Sequence, residues 1–137
     1  METKYRAWIL KSNKMADVRS IIFFGNTIMI ETSSDNHLFD NITLTNSNEK
    51  KFVLMQSTGL IDCNGNKIFD GDIINIHDTV NGQSKFVITI GKTGIAVFYD
   101  YDRNRRYEYD IDDLLDVNNQ YDTDIEIVGN IYEGTRN

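Results

Sequence analysis

The 137-residue chain is predicted to be all-β, or at least β-dominated: a small, partly open barrel or sandwich with one short helix in its C-terminal third. Three turn signals carry that expectation. Asp62-Cys63-Asn64-Gly65 is a four-residue turn between two short apolar runs, with Gly65 where a chain leaving a type I turn usually takes a positive φ. Phe69-Asp70-Gly71-Asp72 is a second tight turn, and it feeds the β-branched run Ile73, Ile74, Ile76. Gly25-Asn26 separates two further β-rich runs and reads as a two-residue hairpin. Turn, short strand, turn, strand is the pattern of a small β fold.

The elements follow in order. Lys4 to Ile9 alternates as a first strand, with Tyr5, Ala7 and Ile9 on one face and Arg6 and Trp8 on the other. Lys11 to Lys14 is a polar turn. Met15 to Phe24 and Thr27 to Glu31 are the arms of the Gly25-Asn26 hairpin. Ser33 to His37 and Thr45 to Lys51 are polar loops around a short apolar segment at Leu38-Phe39. The central block runs from Phe52 to Ile76, with Gly59 ending its first strand. Lys85 to Ile90 and Ile95 to Tyr101 are strands, and Asp102 to Arg105 turns the chain into Arg106 to Tyr109. From Asp110 to Asp116, Ile111, Leu114 and Leu115 fall at helical spacing, with Asp110 placed to cap the N-terminus. Asp124 to Tyr132 is the closing strand. The expected core is Trp8, Leu54, Ile68, Ile73, Ile76, Ile127 and Ile131, each on an apolar strand or beside one.

Composition narrows the functional classes. With 40% hydrophobic residues the chain can bury a core without disulfide or metal, and it is expected to form a single domain over residues 1–137. One cysteine, Cys63, excludes an intramolecular disulfide and suits a reducing compartment. There is no basic-then-apolar leader and no apolar run of transmembrane length, so the expectation is a cytoplasmic chain with no membrane partner. The absence of proline leaves every tight turn to Gly, Asn and Asp. A net charge of −7 argues against direct nucleic-acid binding, which needs a basic face.

Enzyme signatures are sparse. No Walker loop, Rossmann glycine pattern, Gly-x-Ser-x-Gly elbow or paired Cys/His ligand spacing occurs. His37 and His77 stand far apart, and each reads as a structural residue. Cys63 lies beside Asp62, whose carboxylate disfavours a thiolate, and it reads as an outward-pointing turn residue. Asp100, Asp102 and Asn104 fit the opening of a calcium loop, but Arg105 and Ile111 fill the positions that need Gly and Glu. Asp62, Asn64 and Asn66 begin a second partial match, which Lys67 and Ile73 break in the same way. No catalytic, cofactor-binding or metal-binding residue is assigned, and the protein is not read as an enzyme. Tyr and Arg interleave between Phe98 and Tyr109, yet Asp100, Asp102, Glu108 and Asp110 lie among or beside them. That mixture fits a protein interface or strand packing better than a base-stacking platform.

Three segments also carry a resemblance. KYRAWILKSNKM (Lys4 to Met15), LMQSTGLIDCNGNKIFDGDII (Leu54 to Ile74) and EIVGNIYE (Glu126 to Glu133) resemble, in the same order, three blocks of the YopX-like family of phage and prophage proteins. Ile9 stands where that family commonly has Asp, and Ser57 where it commonly has an aromatic residue. The middle third, from Asp78 to Asp122, matches no block. The resemblance implies a phage or prophage origin and names no biochemical activity. Three functions are open: a non-catalytic accessory protein that binds a protein partner or itself, an acidic decoy of a nucleic-acid-binding host protein suggested by the Asp and Glu between Asp100 and Glu126, and an enzyme of unrecognised type. The first leads, with a homo-oligomer or an unidentified protein as the partner.

Overall fold

The computed structural model describes residues 4–33, 42–46, 49–78, 82–90, 96–101, 105–107 and 124–135. They contain twelve strands and no helix, and every strand pairing given by register is antiparallel. The all-β expectation holds. The strands build two antiparallel sheets without closing a barrel. The helix expected near Ile111 to Leu115 lies outside the described residues. The chain divides into two compact units, Met1–Ser57 and Thr58–Asn137.

In the first unit β1 to β4 form a meander and β5 crosses back to pair with β1, giving the order β4-β3-β2-β1-β5. Its strands are β1 (Tyr5–Ile9), β2 (Lys14–Phe24), β3 (Thr27–Ser33), β4 (Ile42–Asn46) and the opening of β5 (Phe52–Ile61). Asn13, at φ 53°, donates its N–H to the Ile9 carbonyl at 2.9 Å and closes the first turn. Asn tolerates this left-handed conformation better than other residues that bear a Cβ. Gly25 takes φ 54° while Asn26 stays at negative φ, the glycine-first pattern of a type II′ hairpin turn. Asn46 organises the link from β4 to β5. Its Oδ1 accepts the N–H groups of Lys51 (2.7 Å) and Phe52 (3.2 Å), and its Nδ2 donates to the Phe52 carbonyl at 2.9 Å.

Ala7, Val18, Ile30 and Phe52 are the buried centre of this unit, with Tyr5, Ile9, Ile21, Ile28 and Leu54 packed against them. The alternation in β1 is therefore as the sequence predicts: Tyr5, Ala7 and Ile9 share one face. Trp8 on the other face is also buried, as is Met55, which lies opposite Arg6. Both faces of the β1–β5 pair are thus withdrawn from water.

The second unit begins inside β5, whose last residues run beside β6 (Lys67–Phe69). Gly59 takes φ 83° but does not end the strand, which continues to Ile61. The backbone turns out of regular geometry there, and Thr58 supports it. Its Oγ1 accepts the Leu60 N–H at 3.1 Å and donates to the Ile68 carbonyl at 2.8 Å. The remaining strands are β7 (Asp72–Asp78), β8 (Gly82–Ile90), β9 (Ala96–Asp100), β10 (Arg105–Tyr107), β11 (Asp124–Asn130) and β12 (Gly134–Thr135), in the order β10-β9-β8-β7-β11-β12.

Leu60, Ile68, Ile74, Ile88 and Ile125 form the core of this unit, with Ile76, Phe86 and Ile127 against it. Among the residues expected in the core, Trp8, Ile68 and Ile73 are buried, while Leu54, Ile76 and Ile127 are partly so. Ile131 departs from expectation at 48% exposed. It is the first residue after β11, where its N–H bonds the Gly71 carbonyl at 2.9 Å and its side chain turns outward.

Candidate functional site

Four polar residues are buried among the described ones: Thr32, Asp62, Asp72 and Asn130. The last three lie in the second unit, inside the central and terminal blocks of the family resemblance. A buried carboxylate or amide is costly without hydrogen-bond partners, so the use of each oxygen decides what the residue does.

Asp62 folds its carboxylate back over its own turn. Oδ1 accepts the N–H groups of Asn64 (3.0 Å) and Asn66 (2.8 Å), while Gly65 N–H reaches the Asp62 carbonyl at 3.0 Å. Oδ2 accepts the Ile127 N–H at 3.1 Å, a contact 65 residues away in sequence. The Cys63 N–H donates to the Ile125 carbonyl at 2.8 Å, so the turn is bonded to β11 at two points. Both carboxylate oxygens of Asp62 serve backbone amides. The Asp62-Asn64-Asn66 calcium pattern is accordingly a turn held by its own amides. The Cys63 side chain is exposed, as its place in the turn predicts.

Asp72 does the same for the second turn. Its Oδ2 accepts the Phe69 N–H at 2.8 Å, and Gly71 between them takes φ 88°. The Gly71 N–H bonds the Ile88 carbonyl at 2.8 Å, and the Gly71 carbonyl receives Ile131, so this turn joins β8 to the end of β11.

The terminal block closes on Asn130. Its Oδ1 accepts the N–H groups of Tyr132 (3.0 Å) and Glu133 (2.9 Å), and its Nδ2 donates to Glu133 Oε1 at 2.9 Å. Such self-bonding two and three residues ahead is what makes Asn a turn former. Beside it, Gly129 has no room for a side chain. A Cβ there would overlap the Gly134 carbonyl oxygen and come within 2.8 Å of Thr135 Cα. The β11–β12 return therefore requires glycine at this position. The closing strand expected over Asp124 to Tyr132 ends at Asn130 and turns there, and the sequence signal for that turn is Asn130 three residues ahead of Glu133, followed by Gly134.

The other candidates are dispersed. His77 lies on β7 at a register position between Gln83 and Asp124. His37 falls outside the described residues. Asp100 is the last residue of β9 and sits opposite Arg105 in the β9–β10 ladder, while Asp102 and Asn104 lie outside the described residues. Among the described residues no group of three or more His, Cys, Asp or Glu side chains is placed to hold a metal ion. The expected hairpin is present as β9 and β10, with Arg105 already on the strand rather than in the turn. Its register sets Arg106 opposite Tyr99 and Tyr107 opposite Phe98. Among the described strands β10 is at the edge of its sheet, and Tyr101, just beyond β9, is 41% exposed.

Comparison with solved structures places this architecture. The crystal structure of protein yopX from Bacillus subtilis superposes with a TM-score of 0.58 at 17% identity, covering 96% of this chain and 94% of that one. Protein EF1440 from Enterococcus faecalis superposes with a TM-score of 0.58 at 23% identity, covering 95% of this chain and 93% of that one. At these identities the likeness is one of fold. No curated protein matches the chain. The family model described as YopX protein matches residues 4–136, which include all three motif blocks. The chain belongs to the YopX family.

Proposed function

We propose that this protein is a non-catalytic accessory protein of a phage or prophage, working in the bacterial cytoplasm through contact with another protein or with a second copy of itself. The observation that carries this reading is the use made of Asp62, Asp72 and Asn130. Each accepts backbone N–H groups of its own turn through a side-chain oxygen, and Asp62 also accepts that of Ile127 on β11, so these residues of the family blocks serve the scaffold and the reading leaves function to the surface. The bacterial sources of the two solved relatives, and the phage and prophage proteins that the motif blocks resemble, support the setting.

The contact surface in this reading is the β9–β10 hairpin. Among the described strands it is an edge, which offers backbone groups to an added strand, and it concentrates Tyr and Arg, the residues that most often anchor interfaces. The register places Arg105 opposite Asp100, and such a mixture of charge in the sequence suits a protein surface better than a phosphate backbone. The test is retention of partners by the tagged chain in producing cells, together with sedimentation equilibrium of the purified chain. The wild type should hold a defined protein or a second copy, and Tyr99→Ser plus Tyr101→Ser should release a foreign protein held at β9–β10. A wild-type chain that holds neither overturns the reading, and retention unchanged by the double variant removes β9–β10 from it.

A further inference from the structure

The β2–β3 hairpin of the first unit presents an apolar strand edge among the described residues. β1 pairs with β2 only from Lys14 to Asp17, whereas β3 pairs with it from Asp17 to Phe24. From Ser20 to Phe24, β2 therefore has a strand on one side and none on the other among the described residues. A register shift between Val18 and Ser20 marks the point where the hairpin leaves the sheet that β1 shares. Ile22, Phe23 and Phe24 are 46%, 64% and 61% exposed. From Ser20 to Ile30 the sequence carries no charged residue and no proline, in a chain that is 26% charged. Protected strand edges usually carry Lys, Pro or an inward charge, and this stretch has none of them.

Phe24 and Thr27 flank the two-residue turn and form its closing hydrogen-bonded pair. By the alternation of an antiparallel ladder, the N–H and C=O groups of Ile21 and Phe23 then point away from β3. We propose that this edge pairs antiparallel with the same edge of a second copy, joining two chains into one continuous ladder about a two-fold axis at Ile22. That register sets Ile21 opposite Phe23 of the second copy, and the outward backbone groups of each meet those of the other. It also sets Arg19 opposite Gly25 and Ser20 opposite Phe24, so no charge faces a like charge. Two chains each carrying −7 would repel through most other surfaces, and this uncharged edge is where the repulsion is least local.

The size of the contact sets its strength. The exposed parts of two Phe and one Ile offer about 300 Å² of apolar side chain per copy, which places the pair below the area of a standard stable interface. The dimer is a reversible one. It is independent of the β9–β10 surface, which lies in the other unit.

Sedimentation equilibrium from about 10 to about 500 μM, a range suited to a small reversible interface, tests the proposal. The wild type should pass from monomer toward dimer mass. Phe23→Lys should stay monomeric at every concentration, and Tyr99→Ser plus Tyr101→Ser should dimerise as the wild type does. Because Phe23 is mostly exposed, the lysine variant should keep its fold, which circular dichroism verifies. In a Cys63→Ser background, Ile22→Cys should cross-link to a disulfide dimer under mild oxidation, since a non-hydrogen-bonded antiparallel pair brings two Cα atoms into disulfide range. Ile61→Cys, exposed in the second unit, should not. A wild type that is monomeric throughout, masses that grow beyond dimer, or a dimer that survives Phe23→Lys each overturns the proposal. So does a monomer that co-floats with neutral phospholipid vesicles, which would assign the apolar tip to a lipid surface.

Discussion

Asp62 ties a local turn to a distant strand. One carboxylate closes a local turn and reaches β11, so its removal strands the amides of Asn64, Asn66 and Ile127 together. Because a hydrogen bond to a charged group contributes about 1.5–3 kcal/mol, and stranded buried donors add to that, Asp62→Ala should lower stability by about 3 kcal/mol or more. Urea unfolding measures it, and a midpoint within error of the wild type would refute the clamp. Gly129 and Gly65 separate two reasons for glycine. Gly65 has φ 83° with open space where a Cβ would go, so Gly65→Ala meets only backbone strain, about 1–2 kcal/mol. Gly129→Ala would drive a methyl into the Gly134 backbone and should cost clearly more, with fraying of β12 visible by NMR. Equal losses at the two positions would contradict this distinction.

At the scale of elements, the two-faced burial of central strands decides where truncation hurts most. β1 buries Ala7 on one face and Trp8 on the other, and β7 buries Ile73 and Ile74 on opposite faces. Strands flanked on both sides by other strands have no edge through which to relax. Trp8→Ala and Ile73→Ala should each cost about 2–5 kcal/mol through lost burial plus an unfilled cavity. Ile131→Ala, at a position 48% exposed, should change the urea midpoint little. Trp8 and Ile73 variants with wild-type midpoints would show that these strands are not the ones that hold the sheets.

Across the whole molecule, the two hydrophobic clusters share no residue: Ala7, Val18, Ile30 and Phe52 belong to the first unit, and Leu60, Ile68, Ile74, Ile88 and Ile125 to the second. Free energies of local opening follow such clusters. Native-state hydrogen exchange should therefore show Phe52→Ala lowering protection most between residues 5 and 57, and Ile74→Ala most between residues 58 and 135. Identical loss of protection in both segments with either variant would mean that the chain opens as one cooperative body.

The sequence by itself determined the tight turns and the strands that flank them. Gly25-Asn26, Asp62 to Gly65 and Phe69 to Asp72 were readable because turn geometry is set by residues within four positions of one another, through φ preferences and side chains that bond nearby amides. The alternation of Tyr5, Ala7 and Ile9 was readable for the same local reason. Tertiary structure alone decided that Asp62 also binds Ile127, that Gly129 must admit the Gly134 backbone, and that Ile131 turns to solvent while its amide holds Gly71. It also decided that β1 stops short of Ser20 and that, among the described residues, no second strand pairs with β2 from Ser20 to Phe24. These outcomes depend on which distant strand lies alongside and for how many residues. A pattern of side chains along one strand records which face is apolar, and it carries no record of the length of the neighbouring strand.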